Sequence, residues 1–174
     1  MKKINLLLTV LGLILLTQSS AYGQSENRPN KTDLSGTTIS MKRDGFPCGY
    51  VPLNENDVSG CPAYSIVISG DGTVKYEGIG SVKVRGKRTF TILDEQVKQL
   101  LADFERIKFF ELQDKYTQKQ LPNGLIRTID HSNGTTITLK IGNKTKSVYN
   151  FYGAPPELQA LQNKLDAISK HLQR

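Results

Sequence analysis

The sequence predicts an α+β fold: a single domain whose antiparallel sheet is built from a meander and a later hairpin, with two helices packed on one face. Three observations carry this. Apolar residues alternate with polar ones in several short runs between residues 37 and 92, and again between 136 and 152. Two longer stretches, one after Asp94 and one after Pro156, repeat their apolar residues at helical spacing. The order is strands, helix, strands, helix, which segregates the two element types instead of interleaving them as a parallel sheet requires.

The chain opens on Lys2 and Lys3, an apolar run from Leu6 to Leu16, and the small residues Ala21 and Gly23 around Tyr22. A positive start, a short apolar segment and small residues at the peptidase positions read as a cleaved export signal over residues 1–23, and the run is too short for a membrane anchor. No cysteine stands at the cleavage point, so a lipid-anchored product is not expected. Of 174 residues, 151 then remain, a size that suits one domain with its own core. The overall charge of +7 loses Lys2 and Lys3 and falls to +5. Such a surplus suits anionic envelope polymers or acidic partners, or serves solubility alone; nucleic acid is not an expected partner of an exported protein. Residues 24–36 are polar, with Pro29, Asn30 and Gly36, and read as a flexible leader ahead of a domain over 37–174.

Within that domain, Thr37 to Lys42 reads as a half-buried strand through Ile39 and Met41. Cys48 and Cys61, in an oxidising compartment, are expected to pair. Closing a loop of about a dozen residues stabilises the fold by about 3 kcal/mol in the chain-entropy picture. Tyr64, Ile66 and Ile68 alternate with Ser65, Val67 and Ser69; Gly70-Asp71-Gly72 turns the chain, and Val74 and Tyr76 resume the pattern as a hairpin. Gly78 to Gly80 reads as a second break, Ser81 to Arg85 as a further strand, and Phe90 and Ile92 as its continuation after Gly86.

Asp94 is placed to cap a helix whose stripe is Val97, Leu100, Leu101, Phe104 and Ile107. A less regular stretch runs from Phe109 through Pro122-Asn123-Gly124. Ile137, Leu139 and Ile141 then form a strand that Gly142-Asn143 turns back into Ser147 to Tyr152. Pro155 and Pro156 start a closing helix with Leu158, Leu161, Leu165, Ile168 and Leu172 on one face.

No diagnostic active site emerges. His131 and His171 have neither H-E-x-x-H spacing nor a paired-ligand pattern, so neither a metal nor a cofactor is expected. Ser69 precedes a hairpin turn rather than a strand-to-helix elbow. Asp114 and Asp130 flank the irregular stretch and would serve a carboxylate-dependent hydrolase if they shared a cleft. The densest cationic cluster is Lys83, Arg85, Lys87 and Arg88, which either holds an anionic ligand or guards a strand edge against unwanted pairing. Tyr149, Phe151 and Tyr152 offer an aromatic surface.

Gly60-Cys61-Pro62-Ala63-Tyr64-Ser65 and Gly70 to Gly78, together with Phe109-Phe110, Asp114-Lys115-Tyr116, Thr128-Ile129-Asp130 and Ala154 to Leu158, resemble the bacterial family known as domain of unknown function 6438. The likeness spans about residues 38 to 170 and implies a secreted or envelope domain, with no catalytic residues to carry over. The expectation is therefore a periplasmic or secreted, non-enzymatic binding module whose partner is an envelope protein or an anionic polymer. The rivals are the hydrolase above and an inhibitor of an extracellular enzyme that presents Tyr50 and Leu53 on the loop between the cysteines.

Overall fold

The computed structural model describes residues 34–45, 60–128 and 134–173. Among these residues eight strands form one sheet: β1 (Thr37–Asp44), β2 (Ala63–Ser69), β3 (Thr73–Gly80), β4 (Gly86–Thr91), β5 (Lys115–Gln120), β6 (Ile126–Thr128), β7 (Thr135–Ile141) and β8 (Lys144–Tyr152), in the order β4-β3-β2-β1-β7-β8-β5-β6. Every pairing is antiparallel except β5 with β8. Two helices, α1 (Asp94–Arg106) and α2 (Pro156–Lys170), complete the α+β domain.

The first strand lies at the centre, between the meander β2-β3-β4 and the hairpin β7-β8. Its inward residues therefore continue across both neighbours. Val74, Ile68, Ile39 and Leu139 make one row across the sheet, and Tyr76, Ile66, Met41, Ile137 and Val148 make the next. All nine are at most 2% exposed. Leu158, Leu161, Leu165 and Ile168 of α2 and Val97, Leu100 and Phe104 of α1 close the same core. Phe104 meets Phe109 edge to face, with centroids 4.8 Å apart. Asp103 of α1, 4% exposed, bonds Lys164 of α2 and Arg106 of its own helix. Although burial works the other way, these two cations hold its carboxyl below the usual range.

The turn between β2 and β3 is a junction. Asp71 Oδ1 accepts from the Thr73 amide at 2.9 Å, while the Gly70 amide donates to the Thr37 carbonyl and the Gly72 carbonyl accepts from Ile92. Gly72 sits at φ +83°, open to glycine at no steric cost. The same turn thus ties together β1, β2, β3 and the entry to α1. Leu34, whose carbonyl accepts from Thr37, packs partly on the core just ahead of β1.

Three sequence expectations are corrected. Ser81 to Arg85 is a bend, not a strand, and β3 continues through Gly78 to Gly80 with a register shift opposite Ala63 and Tyr64. Gly78 marks a close approach: a Cβ there would lie 2.0 Å from the Val84 carbonyl oxygen, which also accepts from the Tyr76 hydroxyl at 3.0 Å. The bend folds back over β3 and buries Val82. Asp94 is the first helical residue, and the preceding Leu93 amide is satisfied by Gln96 Oε1 at 3.0 Å. The irregular stretch after Phe109 contains the β5-β6 hairpin, whose mostly polar and exposed residues carry no alternating signal.

Candidate functional site

Beside its apolar stripe, α2 carries Gln162, Asp166 and Ser169, which recur at i, i+4 and i+7 and so share one face. The sheet answers with a third inward row, Tyr64 of β2, Arg43 of β1, Thr135 of β7 and Asn150 of β8. The two polar sets meet. Asn150 Nδ2 donates to Gln162 Oε1 at 3.1 Å, both residues being buried. Arg43 Nε donates to Asp166 Oδ1 at 2.9 Å and its Nη2 donates to Oδ2, a fork on one carboxylate. The Tyr64 hydroxyl donates to Asp166 Oδ1 as well. Ser169 Oγ donates to the Asp166 carbonyl at 2.7 Å.

This network sets its own electrostatics. Burial pushes the Tyr64 phenol up to about 12, the hydrogen bond to Asp166 adds to the rise, and Ser169 opposes it. For Arg43, burial favours the neutral form, but the bond and charge of Asp166 outweigh it and hold the guanidinium above its ordinary value. The phenol stays protonated at neutral pH with its proton committed to Asp166, so it supplies neither a nucleophile nor a base. Its chemistry is positioning: a polar layer fixes the register of α2 on the sheet.

At one end this layer opens into a depression of about 350 Å³ lined by Arg43, Pro62, Tyr64, Val82, Lys83 and Lys170, with Ser81, Asp166 and Ser169 alongside. A second depression, of about 250 Å³, lies toward the β4 edge and is lined by Ser65, Lys75, Glu77, Lys87, Arg88 and Thr89 among others. The basic cluster of the sequence therefore divides. Lys83 belongs to the first depression, Lys87 and Arg88 to the second, and Arg85 lines neither. Register puts Lys87 opposite Glu77 and Thr89 opposite Lys75, on the sheet face away from the helices. Arg88 pairs with the buried Tyr76, and its Nη1 donates to the Lys87 carbonyl at 2.8 Å, so its side chain follows the edge.

The other candidates scatter. Asp114, 84% exposed at its side chain, is bonded by Lys146, while Asp130 lies outside the described residues. His171 caps the C-terminal end of α2 in solvent, and His131 lies outside the described residues. Cys48, Tyr50 and Leu53 do too, so only Cys61 of the expected crosslink is described. Tyr149 lies opposite Thr136 on the sheet face away from the helices, with Lys115 Nζ 5.9 Å from its ring centroid. Among the described residues no group of three or more His, Cys, Asp or Glu could hold a metal ion, and no helix is long and apolar enough to cross a membrane.

Arg43, Tyr64 and Asp166 were legible in part. Arg43 falls in phase with Ile39 and Met41, and a cation at an inward strand position demands a buried partner. The i, i+4, i+7 polar set of α2 was the matching signal.

Fold and site together define an α+β domain with an open, mostly antiparallel sheet, a buried ion-pair layer and cation-rimmed depressions. The profile of the family described as Domain of unknown function (DUF6438) matches residues 59–169, and the chain belongs to that family. No curated protein matches it.

Proposed function

We propose that this domain is exported and acts in the cell envelope or outside the cell as a non-enzymatic binding module. It holds anionic groups of an envelope polymer or an acidic partner against the sheet face away from the helices, near β4. One observation carries the reading: Lys75 and Lys87, brought together by the β3-β4 register and accompanied by the hydroxyls of Ser65 and Thr89, border a depression on that face with Glu77 as the opposing charge. Lys83 and Arg85, nearby in sequence, do not line this depression. Export rests on the leader composition of residues 1–23, and it supplies the oxidising setting in which Cys48 and Cys61 would pair.

Co-sedimentation with purified cell envelopes at low and high salt tests the binding. The wild type is expected to sediment at low salt and be released at high salt, while Lys75→Ser/Lys87→Ser/Arg88→Ser stays in solution and Lys83→Ser/Arg85→Ser behaves as wild type. Unchanged sedimentation of the triple variant overturns the assignment of the face. Intact mass of the purified protein reports on export: a chain beginning at Gln24 with no free thiol supports it, and an intact Met1 rejects it.

A further inference from the structure

The depression at the end of the polar layer is separate from that face, and its composition selects a ligand of its own. Among the described residues, three cations, Arg43, Lys83 and Lys170, line it with one carboxylate, that of Asp166. That carboxylate is already taken, because Asp166 accepts from two nitrogens of Arg43 and from the Tyr64 hydroxyl. Arg43 is fixed by the same contacts and contributes a half-buried positive field. Lys83 and Lys170 are exposed and have no ion-pair partner among the described residues. Pro62, Val82 and Tyr64 supply an apolar wall and Ser81 supplies a hydroxyl, while that of Ser169 is donated to the Asp166 carbonyl. Ser81 is held at φ +49°, which places a buried non-glycine residue in the left-handed region at this wall.

We propose that this depression is a binding site for a small organic anion: a carboxylate or phosphate carried on a compact body, such as an acidic sugar at the end of a glycan. A cation finds the one carboxylate that the described residues place there saturated, and a neutral sugar leaves the two lysines uncompensated. A volume of about 350 Å³ is at the small end of the range that ligand pockets occupy, which limits the occupant to roughly one sugar ring with its charged group. The lysine ammonium groups close on the anion from two separate elements, the Ser81–Arg85 bend and the last turn of α2. Arg43 stays with Asp166 and acts at longer range.

Titration of the purified protein with D-glucuronate, D-glucose 6-phosphate and D-glucose, followed by amide chemical shifts, tests this directly. Saturable shifts at Ser81, Lys83 and Lys170 are expected with at least one of the two anions and not with glucose. Preference for glucuronate assigns a carboxylate ligand, and preference for the phosphate a phosphoryl one. Because both lysines are exposed, Lys83→Ser/Lys170→Ser should fold as wild type by circular dichroism and bind at least about tenfold more weakly. Lys140→Ser, on β7, should bind as wild type. The Lys75→Ser/Lys87→Ser/Arg88→Ser variant should also keep this binding, which separates a failure here from a failure of the envelope-binding face. Absence of saturable shifts with both anions, equal binding of glucose, or unweakened binding by the double lysine variant would each overturn the site.

Discussion

Arg43 and Asp166, 123 positions apart in the chain, form a forked ion pair in which the guanidinium Nε lies 2.9 Å from the carboxylate Oδ1 and Nη2 engages Oδ2. Their side chains are 17% and 12% exposed, so removing one partner strands the other in a region of little solvent. Asp166→Asn keeps the shape but turns an amide nitrogen toward a cation. It is expected to cost about 3 kcal/mol in urea unfolding with an unchanged m-value. Tyr64→Phe removes one hydrogen bond and is expected to cost about 1 kcal/mol. The double change Arg43→Met/Asp166→Leu should be far milder than Asp166→Asn, because no charge is left unpaired. A loss for Asp166→Asn no larger than for Tyr64→Phe would show that the fork does not anchor α2.

The raised phenol predicts a particular weakness to alkali. Below pH 10 Tyr64 is protonated in both folded and unfolded chains, and its contribution to stability is complete. Between pH 10 and about 12 the unfolded chain loses the proton first, so unfolding gains and stability falls as pH rises through that window. Other tyrosines and lysines titrate there too, so the informative quantity is the wild type minus Tyr64→Phe. Unfolding free energies measured from pH 8 to 12 should converge for the two proteins as pH climbs. Parallel curves would mean that the phenol titrates near its ordinary value.

The parts of the fold whose signal is local are legible in the sequence. The hairpin at Gly70 to Gly72, the stripe from Val97 to Phe104 and the stripe from Leu158 to Ile168 each follow from spacing within a dozen residues. Pairing across the sheet is not local, so nothing in Thr37 to Asp44 announced that this strand would sit between β2 and β7. Gly78 reads as a break in the sequence because glycine serves both turns and close approaches, and only the Val84 carbonyl distinguishes them. The same limit divided the basic cluster. Lys83 and Lys87 are neighbours in sequence, yet the fold gives Lys83 to Arg43 and Lys170, and joins Lys87 to Lys75 from the strand alongside. In α2 the apolar stripe hid the polar one next to it, although Gln162, Asp166 and Ser169 obey the same periodicity.

Two glycines of the meander should respond oppositely to a methyl group. At Gly70 a Cβ would lie 1.9 Å from the Leu34 carbonyl oxygen, a backbone atom that cannot yield without moving the entry to β1. The displacement would also pull on the bond from the Gly70 amide to the Thr37 carbonyl, 3.0 Å long, which joins the β2-β3 turn to the central strand. Gly70→Ala is therefore expected to cost about 2 to 3 kcal/mol. At Gly80 the nearest atom to a Cβ is that of Ala63 at 3.9 Å, an ordinary contact, and φ lies outside the left-handed region. Gly80→Ala should be neutral or stabilise by up to about 1 kcal/mol, by restricting the unfolded chain. Thermal unfolding of the two variants beside the wild type decides the matter: equal shifts in Tm would mean that the turn at Gly70 has slack, and that β1 is not held through it.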